Sequence, residues 1–257
     1  MILQTRSESE MKTPERLEPQ SGRTAAPNGF MRDSSYTRFG KRCFDLTASA
    51  LGVVLISPVF LLAALAVKFS SRGPIFFRQI RIGQFGRPYS MFKFRSMRAG
   101  ESRGSQLTAL GDPRITPLGS WLRRTKIDEL PQLFNVILGD MSLVGPRPEV
   151  PDFVRHYTPK QRMVLSARPG ITGPSANVYE EELLASHYDK ETFYITTVMP
   201  AKLEIDLRYC ETITLKNDCY VVFQTFAKLL IRVYELYKRS PHSYRRRNPL
   251  EIRTVRK

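Results

Sequence analysis

From Leu46 to Val67 the chain runs 22 residues without a charge, LTASALGVVLISPVFLLAALAV. As a straight α-helix this stretch would be about 33 Å long, the thickness of a bilayer core. Core helices of soluble proteins rarely run so far without a charge, so the segment predicts a membrane anchor, with a buried soluble helix as the alternative. Its flanks are unusual. Arg38, Lys41 and Arg42 precede it, and Lys68, Arg72, Arg78 and Arg81 follow it. A spanning helix normally carries its Lys/Arg excess on the cytoplasmic side only. Here both ends favour the cytoplasm.

Midway sits Ser57-Pro58. Proline removes a backbone donor and its ring clashes with the carbonyl four residues back, so a kink is expected, with the serine hydroxyl placed to satisfy a freed carbonyl. The segment therefore predicts a re-entrant helical hairpin over residues 38–71 that enters and leaves by the cytoplasmic face. An ordinary single span is the runner-up.

The rest of the chain divides around this anchor. Residues 1–37 are polar, rich in Ser, Thr, Pro, Glu and Arg, and read as a disordered arm with no signal-peptide core. A catalytic domain is expected over 72–237. The tail from 238 to 257 carries eight basic residues and one acid and reads as flexible. The formal charge is +16, which points to anionic partners: nucleic acid, anionic lipid or a phosphorylated substrate. Three widely spaced cysteines and three scattered histidines offer neither a disulfide framework nor a zinc set.

Residues 72–126 hold twelve Lys/Arg against two acids. Within them GPIFFRQIRIG and RPYSMFKFRSMR alternate with period two and predict two short strands joined at Gly83, Gly86 and Pro88. Alternation puts Phe92 and Phe94 on one face and Lys93 and Arg95 on the other. PLGSWLRR, 117–124, predicts a short helix with Pro at its first turn. Ile127, Leu130, Leu133, Phe134 and Ile137 then recur at helical spacing up to Gly139, with Asp128 at the N-cap position. Val221 to Tyr237 is amphipathic, with Phe223, Phe226, Leu230, Val233 and Tyr237 on one side; an interfacial helix and a core helix fit this pattern equally. The fold expected is α/β and largely helical, anchored by the broken re-entrant helix.

No P-loop, GxGxxG or GxSxG motif is present, and the reactive groups that remain are carboxylates. Asp128 and Glu129 are adjacent, near Arg123, Arg124 and Lys126, and a helix N-terminus with cations favours ionised acids there. An ionised Asp is a nucleophile toward phosphorus, and Mg²⁺ usually takes one or two carboxylates from protein. The pair thus divides nucleophile and metal work. Arg147, fixed between Pro146 and Pro148, makes a rigid phosphate clamp. A capping Asp with a spare surface Glu is the bland alternative.

The motifs settle on one resemblance. KRCFDLTASALGVVLISPVFLLAALAVKF, PIFFRQIRIGQFGRPYSMFKFRSMR, DPRITPLGSWLRRTKIDELPQLFNVILGDMSLVGPRPE and RPGITG, in this order over residues 38 to 235, resemble the bacterial sugar transferase family, the monotopic phosphoglycosyl transferases. The resemblance implies transfer of a sugar-1-phosphate from a UDP-sugar to polyprenyl (undecaprenyl) phosphate at the cytoplasmic face of the bacterial inner membrane, with release of UMP. It implies Mg²⁺, a covalent phosphosugar intermediate on Asp128, Glu129 as its partner, and basic residues at Lys93, Arg95, Arg123 and Arg147. The helix break matches Ser57-Pro58. The partners expected are UDP-sugar, polyprenyl phosphate and anionic membrane lipid, with no nucleic acid; a homo-oligomer is left open. The pathway implied is the first membrane step of surface polysaccharide or glycan assembly.

Two departures stand out. Many members continue PGITG as GLWQV or GLAQV, whereas this chain reads GPSANVYEEELLA, so no sugar-recognising residue is carried over. Larger members add N-terminal spanning helices, and this chain has a polar arm there, which resembles a minimal catalytic form. The rival classes are a basic, membrane-anchored binding module without chemistry and a phosphate-releasing hydrolase on the same fold.

Overall fold

The computed structural model describes residues 34–98, 107–108, 112–177, 184 and 187–238, apart from the side chains of 235–237. The expected tail after Lys238, most of the arm and most of the divergent VYEEELLA stretch lie outside the described residues. So does the side chain of Tyr237. The described residues are mostly helical. The long helices are α1 (Lys41–Ser70), α2 (Pro117–Arg124), α3 (Gln132–Leu138), α4 (Met199–Glu211) and α5 (Leu215–Lys238), with one-turn helices between them. Strands β1 (Phe76–Ile82) and β2 (Pro88–Phe94) form one antiparallel pair; β3 (Ser142–Val144) and β4 (Gly170–Thr172) form a short parallel pair.

Helix α1 is long and apolar enough to cross a membrane. It runs through Pro58 without interruption. Pro58 has no N–H for the carbonyl of Val54, and the Ser57 hydroxyl donates to that oxygen at 2.8 Å, as the sequence predicted. Leu51, Val54, Leu55, Leu61, Leu62 and Leu65 on this helix are exposed. Both ends of α1 are nevertheless tied to the same folded body. At the start, Lys41 pairs with the buried Asp218 at 2.7 Å, Arg42 donates to the carbonyls of Val136 and Ile137, and Asp45 accepts from Leu143 N. At the end, Ala63 and Val67 pack with Phe94 and Leu122.

The β1–β2 hairpin forms where alternation predicted it, with Phe76 opposite Phe94 and Phe77 opposite Lys93. Phe94 is buried and stacks on Phe76, with Phe60 of α1 beside both. Aromatic pairs of this kind add about 0.5–1.5 kcal/mol each beyond area burial. Asn135 of α3 closes the other edge of β2. Its side chain accepts from Phe92 N at 3.0 Å and donates to Ser90 O at 2.8 Å. A fully buried side-chain amide thus replaces a third strand, which avoids leaving unpaired backbone polar groups.

The largest core lies behind β3 and β4, where Val144, Phe153, Val154, Tyr194, Leu203 and Ile213 meet. Gly145 and Gly170 let β3 and β4 approach closely, since a Cβ on either would strike the other's backbone.

Candidate active site

The helix carrying the acid pair starts later than the apolar spacing predicted. Ile127–Glu129 is a single 3₁₀ turn, and α3 begins at Gln132 with Pro131 at its N-cap position. The cause is local. Pro131 has no N–H, so the carbonyl of Ile127 cannot take an α-helical partner and accepts from Leu130 N at 3.2 Å instead. Asp128 therefore does not cap a helix, which corrects the expectation. Lys126 precedes the turn with φ 59°, a left-handed conformation that costs a non-glycine residue roughly 1–2 kcal/mol. It turns the chain sharply between α2 and the acids.

Both carboxylates are buried, with Asp128 4% and Glu129 8% exposed. Their surroundings differ. Glu129 Oε1 lies 3.1 Å from Arg147 Nη2, 3.3 Å from Lys93 Nζ and 3.7 Å from Lys126 Nζ. Burial alone would raise this carboxyl; Lys126, Arg147 and Lys93 outweigh it and hold Glu129 well below the ordinary range. Asp128 Oδ1 is buried and has no hydrogen-bond partner. Burial and then the charge of Glu129 raise its carboxyl, against opposing pulls from Lys93, Lys126 and Arg123. Local cations thus prevail at Glu129, as expected, and are outweighed by burial and the neighbouring charge at Asp128. One acid is committed to cations and the other keeps an unused oxygen.

The positive side is built on separate elements. Lys93 projects from β2, and burial lowers its ammonium, with Glu129 opposing. Arg147 sits on the turn after β3. That turn is held from several sides: Asp206 of α4 accepts from Arg147 N at 3.3 Å, Gly170 N donates to Pro146 O at 2.9 Å, and Arg81 donates to Pro148 O at 3.1 Å. Arg81 also pairs with Glu149 at 3.0 Å, and Tyr194 donates a short hydrogen bond to the other Glu149 oxygen. Arg123, in the last turn of α2, is half-buried.

Arg95 goes elsewhere. Its guanidinium donates to the carbonyls of Pro74, Val67 and Ser71 and to Ser71 Oγ. It occupies the C-terminal end of α1, while its backbone N–H still pairs with Ile75 O at 2.9 Å beyond the end of β2. Arg81, Ser175 and Asp206 were absent from the expected site, and Lys126 was expected only as a neighbouring charge, not as a direct Glu129 contact. Lys126 had a signal, its position three residues before Glu129. Asp206 had none, since its role depends on how α4 packs behind Gly145–Pro148. Ser175 donates to Asp206 at 2.8 Å, and burial pushes the Asp206 carboxyl up to about 6. Among the described residues no group of three His, Cys, Asp or Glu gathers to hold a metal.

A buried acid pair, with three cations on one oxygen of Glu129, thus shares its fold with a helix long and apolar enough to cross a membrane, and its charges suit an anionic ligand. Residues 36–232 match the model of the bacterial sugar transferase family, and the chain belongs to that family. It is 39% identical over 194 residues to the UDP-glucose:undecaprenyl-phosphate glucose-1-phosphate transferase of Caulobacter vibrioides, covering 74% of this chain and 69% of that protein. It is 36% identical over 206 residues to the UDP-N-acetylgalactosamine-undecaprenyl-phosphate N-acetylgalactosaminephosphotransferase of Aeromonas hydrophila, covering 79% and 46%. It is 45% identical over 152 residues to the undecaprenyl-phosphate glucose phosphotransferase of Komagataeibacter xylinus, covering 54% and 28%. The chain thus spans less than half of the last two proteins.

Proposed function

We propose that this protein is a phosphoglycosyl transferase that moves a sugar-1-phosphate from a UDP-sugar to polyprenyl phosphate. The observation that carries the reading is the asymmetry of the acid pair: three cations converge on Glu129 Oε1, while Asp128 Oδ1 is buried and unpartnered. In the first step an Asp128 oxygen bonds to the β-phosphorus of the UDP-sugar. The bond from that phosphorus to the α–β bridging oxygen breaks, and UMP leaves with the electron pair. In the second step an oxygen of polyprenyl phosphate attacks the same phosphorus. Asp128 departs as a carboxylate, leaving the sugar on a lipid diphosphate. Lys93 and Arg147 bind and neutralise phosphate oxygens, which is most of what phosphoryl transfer asks of a protein.

The residues suit Mg²⁺. That ion usually takes one or two carboxylates and completes its shell with substrate phosphates and water. All the Glu129 contacts above fall on Oε1, so Oε2 together with Asp128 would hold the ion. When bound, Mg²⁺ supplies charge neutralisation at the diphosphate.

The membrane reading is a re-entrant α1 that enters and leaves by the cytoplasmic face of the inner membrane. It is supported by the basic residues at both ends, and by Arg42 and Val67, near opposite ends of α1, touching one folded body. Helix α5 exposes Phe223, Phe226, Leu230 and Val233, which favours an interfacial helix over a core one. The relatives named above act on UDP-glucose, UDP-N-acetylgalactosamine and undecaprenyl phosphate by their names, which supports the same substrate classes here.

The test is UMP release from a panel of UDP-sugars in proteoliposomes, with and without polyprenyl phosphate and Mg²⁺. Acceptor-dependent turnover with sugar recovered on lipid supports transfer. Turnover that ignores the acceptor and frees sugar phosphate would indicate the hydrolase instead.

A further inference from the structure

We infer that Arg95 is a positioning residue, a clasp that fixes the end of α1 to the catalytic sheet and so sets how the acid pair meets a phosphate held in the bilayer. The inference rests on the transferase reading above. Arg95 is 6% exposed. Its Nη1 donates to Pro74 O at 2.6 Å, and its Nη2 lies 2.9 Å from Val67 O, 2.7 Å from Ser71 O and 3.0 Å from Ser71 Oγ. The last carbonyls of a helix lack intrahelical partners and carry partial negative charge, so a guanidinium there satisfies both needs. With its fork occupied by protein oxygens, Arg95 has little left to offer a substrate phosphate.

The same residue is tied to the hairpin. Arg95 N donates to Ile75 O at 2.9 Å, which pins residues 71–75 from inside as the chain leaves α1 for β1. Two positions earlier on the same segment, Lys93 contacts Glu129. On α1, Ala63 and Val67 pack in one cluster with Leu122, against which Ile127 and Leu130 also pack. Ile127 and Leu130 bracket the acid pair. Glu129 is also held by Arg147 from the turn after β3, an element apart from the clasp, so loosening the clasp shifts α1 relative to the acids without dismantling them.

Arg95→Lys keeps the charge but replaces a planar fork with a single ammonium, which cannot serve acceptors on three residues equally. In proteoliposomes, transfer to polyprenyl phosphate should fall in kcat by about tenfold or more, the scale set by small misplacements of reacting groups. The KM for UDP-sugar and the UMP burst without acceptor should stay within about twofold of the unmodified protein. A roughly tenfold rise in KM with kcat held would make Arg95 a phosphate ligand and overturn the inference. Unchanged transfer would overturn it too. Should Arg95→Lys unfold, Ser71→Ala removes one acceptor and should lower kcat about two- to fivefold with KM held; no change in kcat there counts against the clasp. Absence of acceptor-dependent turnover in the unmodified protein would refute the transferase reading itself, a separate result.

Discussion

Asp128 and Glu129 are consecutive residues held in opposite electrostatic conditions: Glu129 Oε1 faces three cations, and Asp128 Oδ1 faces none within hydrogen-bonding distance. The difference follows from the 3₁₀ turn that places them, which sends adjacent side chains in different directions. Glu129 points at β2 and the Arg147 turn.

The two acids should therefore fail differently when neutralised. Asp128→Asn should remove UMP release by at least about a thousandfold, since it deletes the attacking group. Glu129→Gln should retain a measurable residue of activity, weaken the Mg²⁺ dependence and lower thermal stability, because Lys93 and Arg147 lose their buried counter-charge. Equal losses in both variants, with unchanged metal titrations, would contradict this division.

The raised Asp128 carboxyl gives a pH dependence with a definite sign. The nucleophile must be ionised, so kcat should rise with pH along an acid limb lying above the ordinary Asp value of about 3.9. Stability runs the other way. A carboxyl raised in the folded state stabilises the fold fully below its unfolded pKa, and that contribution is lost as pH rises through the folded value. Asp128→Asn should accordingly raise the melting temperature at neutral pH while removing activity. A lower melting temperature there would argue that the Asp128 charge is satisfied.

The Ser57–Val54 contact predicts how α1 responds to change. Pro58→Ala restores an N–H for Val54 O and should stiffen the middle of the helix, shifting the proposed re-entrant arrangement toward a single span. Cysteines placed at 38 and 72 should label from the same side in the parent. In the Pro58→Ala background, part of the population should label from opposite sides. Opposite-side labelling in the parent would end the re-entrant model.

Lys126 offers a test of local strain. Lys126→Gly relieves a positive φ and should stabilise the turn by up to about 1 kcal/mol, with the loss of one Glu129 contact subtracting from it. Activity should fall only a few-fold, because Lys93 and Arg147 remain. Calorimetry and turnover on the same sample check both parts.

What the sequence made legible follows the range of the forces involved. The long apolar helix α1, the β1–β2 hairpin and α2 are local patterns of apolar period and turn residues, and they formed where those patterns lie. The acid pair and the Gly145–Pro148 turn were visible as motifs, but their electrostatics were not. Nothing near Asp128 in sequence shows that its cationic neighbours would be taken by Glu129. Arg95 illustrates the same limit. Period two put it on the face of Lys93, and the acceptors at the end of α1 that take its guanidinium come from a segment some twenty or more residues earlier. Asp206 and Ser175 act through packing between distant segments, and no local pattern announces them.

The central claim is covalent attack by Asp128, and intact-mass spectrometry of the protein incubated with UDP-sugar, Mg²⁺ and no acceptor tests it most directly. The account predicts an adduct of one sugar phosphate, lost on adding polyprenyl phosphate and absent in Asp128→Asn. Full turnover with no adduct under rapid quench, or an adduct that persists in Asp128→Asn, would contradict it.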